Sequence, residues 1–66
     1  MSNMKTKIGD KKTLINILKS NGYYLDGGSK HEKWTNGQIS VFVPRHEKSF
    51  SRMCAERIIK TAKILL

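Results

Sequence analysis

Two histidines stand in the two segments of this chain whose residue types could do chemistry. The first segment reads Gly28-Ser29-Lys30-His31, and the second reads Val43-Pro44-Arg45-His46. An imidazole exchanges protons near neutral pH, so His31 suits general acid–base catalysis. The alternative for His31 is an ordinary strand histidine. His46 could complete an acid–base pair with it, or could simply close the end of a strand.

Cationic and aromatic side chains near His31 are candidates for contacts with a ligand or a partner. Lys30, Lys33 and Arg45 are candidates to hold a phosphate and to offset charge that develops on it. Phe42 could stack on a base or pack against a partner. The chain has 13 Lys and Arg against 5 Asp and Glu, a net charge of +8, which favours nucleic acid, an anionic membrane or an acidic protein as partner.

A β-hairpin is predicted to present these residues. Asn36-Gly37 lies between two runs of strand formers, which is a strong hairpin signal because both residues tolerate positive φ. We read these two residues as the turn. The register that follows pairs Thr35 with Gln38, Trp34 with Ile39, Lys33 with Ser40, Glu32 with Val41 and His31 with Phe42.

The two faces of this hairpin should differ, because side chains alternate along a strand. The face predicted to be buried carries Trp34, Ile39, Val41 and Val43. The face predicted to be open carries His31, Lys33, Ser40 and Phe42. Lys30 and Glu32 also fall on the apolar face. A bulge before Trp34, or fraying towards Gly28, would resolve this conflict, and the sequence leaves both open.

Two amphipathic helices flank the strands. The first is predicted from Lys11 to Asn21, with Asp10 as N-cap and Gly22 after its end. Its buried stripe is Leu14, Ile17 and Leu18. The last helix is predicted to be capped by Ser51, with Glu47 and Ser49 as competing caps, and its stripe is Ala55, Ile58, Ile59, Ala62 and Leu65/Leu66. Cys54 is predicted to be a small buried residue of this helix.

A short first strand, Tyr23–Leu25, completes the elements, and its end is set by Gly27 and Gly28, which allow a sharp turn or a close approach to a ligand. Pro44 should end the third strand. Tyr23, Leu25 and Trp34 are predicted to lie in the core. The predicted fold is α+β, in the order α-β-β-β-α, with two helices on one face of a three-stranded antiparallel sheet and the other face free.

The remaining features concern organisation and location. Residues 1–9 are predicted to form a flexible basic arm, either merely solvated or in contact with phosphate, and residues 10–66 to form one domain. No run is long enough for a membrane span, and no signal peptide is expected. A single cysteine fits the reducing cytoplasm. The carboxylates are scattered without the spacing of a metal site, so no metal is predicted.

The order and motifs together resemble a known family. The order α-β-β-β-α resembles the double-stranded-RNA-binding fold. Gly28–His31 followed by Val43–His46 resembles HicA toxins of bacterial toxin–antitoxin pairs, and residues 14–23 are similar to that family's first helix and strand. The resemblance covers roughly Asp10 to Leu65. The chain departs from many relatives in ending with Ile64-Leu65-Leu66, where they have a glycine near the end.

The resemblance implies an endoribonuclease that cuts mRNA and stops translation, held inactive by a HicB antitoxin, with His31 as its catalytic residue. RNA carries its own nucleophile, so a base that takes the 2′-hydroxyl proton could drive in-line attack on phosphorus without a metal or a small-molecule cofactor. The residues then expected to bind RNA are Gly28, Ser29, Lys30, Lys33, Phe42 and Arg45.

Two other readings stay open at this point. One is a non-catalytic RNA-binding module of the same fold, which would share the charge and the sheet. The other is a protein-interaction module whose basic face docks an acidic partner. His31 and its surroundings discriminate the enzyme from the first of these, and salt dependence of RNA binding discriminates nucleic acid from apolar docking.

Overall fold

The structure is a computed structural model that describes residues 8–65, so most of the predicted basic arm, together with Leu66, lies outside the described residues. The arm stays a prediction for residues 1–7. Its last two positions are packed: Ile8 is 2% exposed, and the Gly9 carbonyl accepts a hydrogen bond of 2.6 Å from the Phe50 amide.

The two helices begin where their caps predict. Helix α1 spans Lys11–Ser20, and its N-cap Asp10 accepts a hydrogen bond from the Thr13 amide at 3.3 Å. Helix α2 spans Arg52–Thr61, and Ser51 accepts from the Cys54 amide at 3.1 Å, so Ser51 is the N-cap among the three candidates. Helix α1 ends at Ser20, one residue earlier than predicted, and Asn21 is its C-cap.

Within residues 8–65 the strands are β1 (Tyr24–Leu25), β2 (His31–Thr35) and β3 (Ser40–Pro44). They form one antiparallel sheet in the order β1-β2-β3. Apolar side chains of both helices join those of the sheet in a single core, so the helices cover one face and leave the other open. The predicted α-β-β-β-α fold is confirmed, and β1 is one residue shorter than predicted.

The predicted hairpin register is wrong: each residue of β2 pairs with the residue two positions further along β3 than predicted. Thr35 pairs with Ser40 and Trp34 with Val41, and the turn is closed by a bond from the Asn36 amide to the Ile39 carbonyl at 3.2 Å. The Asn36 side chain explains the shift, because its Oδ1 accepts from the amides of the two residues before Ser40, at 2.9 and 2.8 Å. The full ladder runs Thr35–Ser40, Trp34–Val41, Lys33–Phe42, Glu32–Val43 and His31–Pro44.

The error in register leaves the predicted faces intact, because it moves each pairing by two positions in all. Val41 and Val43 lie on the helix-covered face at 3% and 0% exposure, whereas Phe42 between them is 56% exposed. Trp34 and Tyr23 are buried as predicted. The Tyr23 hydroxyl donates to the Ala62 carbonyl at 2.9 Å, and burial raises the pKa of this tyrosine.

Three predicted core residues are exposed instead. Leu25, 48% exposed, lies at the end of a two-residue edge strand. Cys54 is exposed because it lies in the first turn of α2, before the buried stripe begins at Ala55. Leu65 is 96% exposed, since the chain leaves the helix after Thr61 and turns at Lys63, whose φ is 57°. Ile64 takes the predicted place of Leu65 in the core, at 8% exposure.

Candidate functional site

The Gly-Ser-Lys segment before His31 folds back against β2. The Asp26 amide donates to the Lys33 carbonyl at 2.7 Å, and the Lys33 amide donates to the Gly27 carbonyl at 2.9 Å. Gly28 has a φ of +104°, and a Cβ there would lie 2.1 Å from the His31 carbonyl oxygen. Only glycine therefore fits at position 28, because the backbone there has a positive φ and lies too close to the strand of His31 to leave room for a Cβ.

The Arg45 side chain ties this segment to the end of β3. Its Nε donates to the Ser29 carbonyl at 2.7 Å, and its Nη2 donates to the Gly28 carbonyl at 3.1 Å. The Arg45 amide also donates to the Lys30 carbonyl at 3.1 Å. Three hydrogen bonds from one residue thus fix three successive carbonyls just before His31. In the described structure, Arg45 holds the backbone of the site.

Glu32 lies on the helix-covered face of the sheet, close to the Arg45 side chain. Its carboxylate accepts from Lys11 Nζ and from Trp34 Nε1, both at 3.1 Å, and Arg45 Nη1 lies 4.0 Å away. Lys11 Nζ also donates to the Arg45 carbonyl at 2.8 Å. The conflict of a charge on the apolar face is therefore resolved by neither a bulge nor fraying. Glu32 keeps its place in the ladder and is neutralised by α1.

Opposing influences act on the Glu32 carboxyl, whose side chain is 14% exposed. Burial by itself would raise its pKa, because a buried carboxylate loses hydration. The hydrogen bonds from Trp34 and Lys11, with the charges of Lys11 and Arg45, outweigh this and leave the pKa of Glu32 below its ordinary value. Glu32 is therefore ionised at neutral pH. Its carboxylate interacts with Lys11 of α1, with Trp34 of β2 and with Arg45, the residue that holds the loop before His31.

His31 is the first residue of β2, pairs with Pro44, and is exposed. Its side chain belongs to the open face of the sheet, because Glu32 and Trp34, its neighbours in alternation, face the helices. We use "open face" for the side chains of Tyr24, His31, Lys33 and Phe42. The imidazole is thus accessible to a large ligand. The backbone on the N-terminal side of His31 is fixed by the hydrogen bonds from the Arg45 side chain.

The rest of the open face combines aromatic and cationic groups. Phe42 pairs with Lys33 and is 56% exposed. The Lys33 ammonium lies 3.8 Å from the Asp26 carboxylate, an exposed pair that contributes little to stability. Tyr24, which pairs with Thr35, is 53% exposed on the same side. Two exposed aromatic rings and a cation therefore share a sheet face with His31.

The predicted site residues fall into two groups. His31, Lys33 and Phe42 are brought onto the open face, and Ser29, Lys30 and His46 are exposed in the segments beside it. Gly28 and Arg45 are committed to the backbone contacts of the loop. Their roles in RNA binding stay predictions.

Sequence reasoning missed three residues of the site: Lys11, Tyr24 and Glu32. The signal for Glu32 was its place on the apolar face, which indicated a buried partner of opposite charge. The signal for Tyr24 was alternation with the buried Tyr23. Nothing local marked Lys11, whose partner lies 21 residues away.

A second basic region lies on α1. A groove of about 540 Å³ there is lined by Lys11, Lys12, Lys19 and Lys48, together with Asp10, Ile15 and Asn16. Within residues 8–65, no three side chains of His, Cys, Asp or Glu come together as a metal site. No helix in that same range is long and apolar enough to cross a membrane.

Comparison with known proteins identifies a family. The family model described as the HicA toxin of bacterial toxin–antitoxin systems matches residues 12–64. No curated protein and no solved structure matches the chain. The family match spans α1, the sheet and α2, and includes both histidine segments. The chain belongs to the HicA toxin family, and so is the toxin of a toxin–antitoxin pair with a cognate antitoxin as partner.

Proposed function

We propose that this toxin is a metal-independent endoribonuclease that cleaves mRNA in the cytoplasm, stops translation and growth, and is neutralised by a HicB-type antitoxin. The observation that carries the proposal is the position of His31. An exposed imidazole stands on the open face beside aromatic and cationic side chains, at the end of a strand whose backbone is fixed by Gly28 and Arg45.

Cleavage requires a base that removes the proton of the attacking hydroxyl and an acid that protonates the departing oxygen. His31 takes the proton of a ribose 2′-hydroxyl, whose oxygen attacks the adjacent phosphorus in line with the departing 5′-oxygen. A bond from the 2′-oxygen to phosphorus forms, the bond to the 5′-oxygen breaks, and a 2′,3′-cyclic phosphate results. The departing oxygen needs a proton, and His46 is the candidate donor. The fixed backbone beside His31 is suited to this, because misplacement of reacting groups lowers the rate.

The open face supplies what a single strand of RNA needs for binding. Phe42 and Tyr24 offer exposed rings on which bases stack, and such stacking typically contributes about 1–3 kcal/mol per base. Lys33 and Lys30 can attract the backbone phosphates. Arg45 acts on RNA indirectly in this account, since its guanidinium holds the carbonyls of Gly28 and Ser29. We expect its loss to misplace His31.

The same aromatic face favours a second candidate, an RNA-binding module without catalysis. Phe42, Tyr24 and Lys33 would bind RNA whether or not His31 reacts. The net charge of +8 and the lysine-lined groove on α1 support RNA binding under either reading. The two functions differ in the consequence of removing the imidazole, because binding alone leaves RNA intact.

Growth and mRNA integrity in bacteria discriminate these functions. The wild-type chain is induced beside His31→Ala and His46→Ala at equal soluble expression, and total RNA is analysed on a gel. We expect arrest with mRNA loss for the wild type and neither effect for His31→Ala. Arrest without mRNA loss in both proteins would support the binding module and refute the proposed catalysis.

Substrate chemistry tests the mechanism itself. An oligoribonucleotide with a single cleaved linkage is compared with the same strand carrying one 2′-deoxyribose at that linkage, both in EDTA. We expect cleavage of the first to a cyclic phosphate and none of the second. Cleavage of the deoxy strand, or activity that returns only with added divalent metal, would contradict attack by the 2′-hydroxyl without metal.

A further inference from the structure

Within residues 8–65, no strand pairs with the outer edge of β3. Strand order β1-β2-β3 leaves β3 with a neighbour on one side only. The hydrogen bond from the Arg45 amide to the Lys30 carbonyl identifies which alternate residues of β3 bond to β2, and this sets the phase of the ladder. In that phase the backbone groups of Val41 and Val43 point to β2, and those of Ser40 and Phe42 point outward. In agreement, Lys33, the partner of Phe42, directs its own amide and carbonyl to the β1 side.

This edge lacks the usual protection against pairing with another chain. Natural edge strands carry lysines, bulges or prolines, or are covered. The nine residues 36–44 contain no charged side chain, in a chain that is 27% charged. Pro44 closes only the far end. An uncharged strand of Ser, Val and Phe at a free edge indicates that something pairs with it in the working protein.

A groove beside the edge adds side-chain recognition. It lies between β3 and α2, measures about 250 Å³, and is lined by Ser40, Val41, Phe42, Arg57, Ile58 and Thr61. Arg57 provides the cation of this groove. The opposite edge offers no equivalent, because β1 has two residues and continues into Gly27 and Gly28 with positive φ. An added strand could therefore form main-chain bonds at β3 but hardly at β1.

We propose that the β3 edge binds an extended acidic segment of the antitoxin as a fourth strand, with a carboxylate of that segment on Arg57. Main-chain bonds to Ser40 and Phe42 supply affinity, and the groove supplies specificity. An acidic protein segment fits better than a second copy of this chain, because two chains of +8 repel each other. The inference rests on the antitoxin partner of the family and does not depend on catalysis by His31.

Amide hydrogen exchange on the full chain, free and bound to its cognate antitoxin, tests the proposal by NMR. We expect exchange of the Ser40 and Phe42 amides to slow by at least about tenfold in the complex. The Leu25 amide, which points outward at the β1 edge, should not change. Unchanged exchange at Ser40 and Phe42 in a formed complex would overturn the proposal. So would equal protection by an oligoribonucleotide, or by concentrating the chain alone.

Two matched pairs of variants test the same surface by affinity for the antitoxin. Ser40→Pro removes an outward amide at the first position of the strand, where proline is tolerated, and Ser40→Ala keeps that amide. Arg57→Glu reverses the groove cation, and Lys60→Glu makes the same change on the α2 side that borders Ile8. We expect Ser40→Pro and Arg57→Glu to weaken binding by about tenfold or more, and the controls by less than about threefold. Equal affinities within either pair would refute the added strand or its carboxylate contact, respectively.

Discussion

The two faces of the sheet differ in how fully their polar groups are used. On the helix-covered face, Trp34 and Val43 are buried and the one charge, Glu32, is met by Lys11 and by the Trp34 indole. Every buried side-chain nitrogen or oxygen within residues 8–65 has a hydrogen-bond partner. On the open face, His31 and Phe42 are exposed. Stability and candidate chemistry therefore lie on opposite sides of one strand.

Successive residues of β2 therefore have different roles. Glu32 stabilises the fold and, through Arg45, the loop before His31, while His31 itself is left accessible. Substitutions at helix-facing positions should then lower the free energy of unfolding, and should reduce activity only because the fold is destabilised. Changes at open-face positions should alter activity or binding and leave unfolding nearly unchanged.

The largest expected effect is that of Glu32→Ala on the free energy of unfolding. The substitution leaves Lys11 and Arg45 near each other without their carboxylate, and breaking a buried pair in this way typically costs about 3–5 kcal/mol. A domain of this size has little more than that in total. Urea unfolding followed by circular dichroism measures it. Glu56→Ala, which breaks an exposed pair with Arg52, is the matched control and should cost less than about 1 kcal/mol. Equal costs would remove the contrast between the faces.

Gly28→Ala should follow, with a loss of cleavage and a destabilisation of about 1–3 kcal/mol. The added Cβ would meet the His31 carbonyl at 2.1 Å, so the loop or the strand must move. Gly27→Ala is the control, because Gly27 also has positive φ (+84°) but nothing within 4 Å of the added Cβ. Cleavage of an oligoribonucleotide and thermal unfolding are measured for both. Full activity in Gly28→Ala would show that the close approach does not position His31.

Phe42→Ala sharpens the comparison on β3. Loss of an exposed ring should weaken RNA binding by about 1–2 kcal/mol and change unfolding by less than about 0.5 kcal/mol. Val41→Ala, on the other face of the same strand, should lower the free energy of unfolding by about 2 kcal/mol. Fluorescence anisotropy with a labelled single-stranded RNA and urea unfolding give the two values. The reverse pattern would mean that the faces are misassigned.

The smallest effect is a pH dependence of stability. The pKa of Glu32 is lower in the folded protein than its ordinary value of 4.5, so the unfolded chain binds more protons below that pH. The contribution of Glu32 to the free energy of unfolding should be complete above pH 4.5 and be lost as the pH falls below it. Urea unfolding between about pH 6 and pH 3 should show this decline. The decline should be shallower in Glu32→Gln, and an identical pH profile would contradict the role of the carboxylate.

Local rules predicted most of the fold. Asp10, Ser51 and Gly22 mark helix ends by capping and by positive φ, which depend on neighbouring residues only. The hairpin register was not predictable from Asn36-Gly37 alone, because the Asn36 side chain replaces a main-chain acceptor and moves the turn. The partner of Glu32 was likewise hidden, since it depends on how α1 crosses the sheet.

The position of the candidate site on the sheet was predictable, but the contacts that hold its loop were not. His31, Lys33 and Phe42 were assigned to the open face from alternation, and the structure places them there. Arg45 was predicted to hold phosphate, and that role stays a prediction; what the sequence did not indicate is that its guanidinium contacts the backbone carbonyls of residues 16 and 17 positions earlier. Contacts of that separation follow from the packing of the loop on β3, which no local pattern encodes.

The assignment of catalysis to His31 is tested by cleavage of an oligoribonucleotide in EDTA by the purified wild type, His31→Ala and His46→Ala. Circular dichroism and unfolding confirm that each variant is folded. We expect His31→Ala to keep the wild-type free energy of unfolding within about 0.5 kcal/mol. We expect the cleavage rate of this variant to fall by at least about a hundredfold, because a general base is lost. Cleavage by folded His31→Ala at the wild-type rate would contradict the assignment of catalysis to the open face.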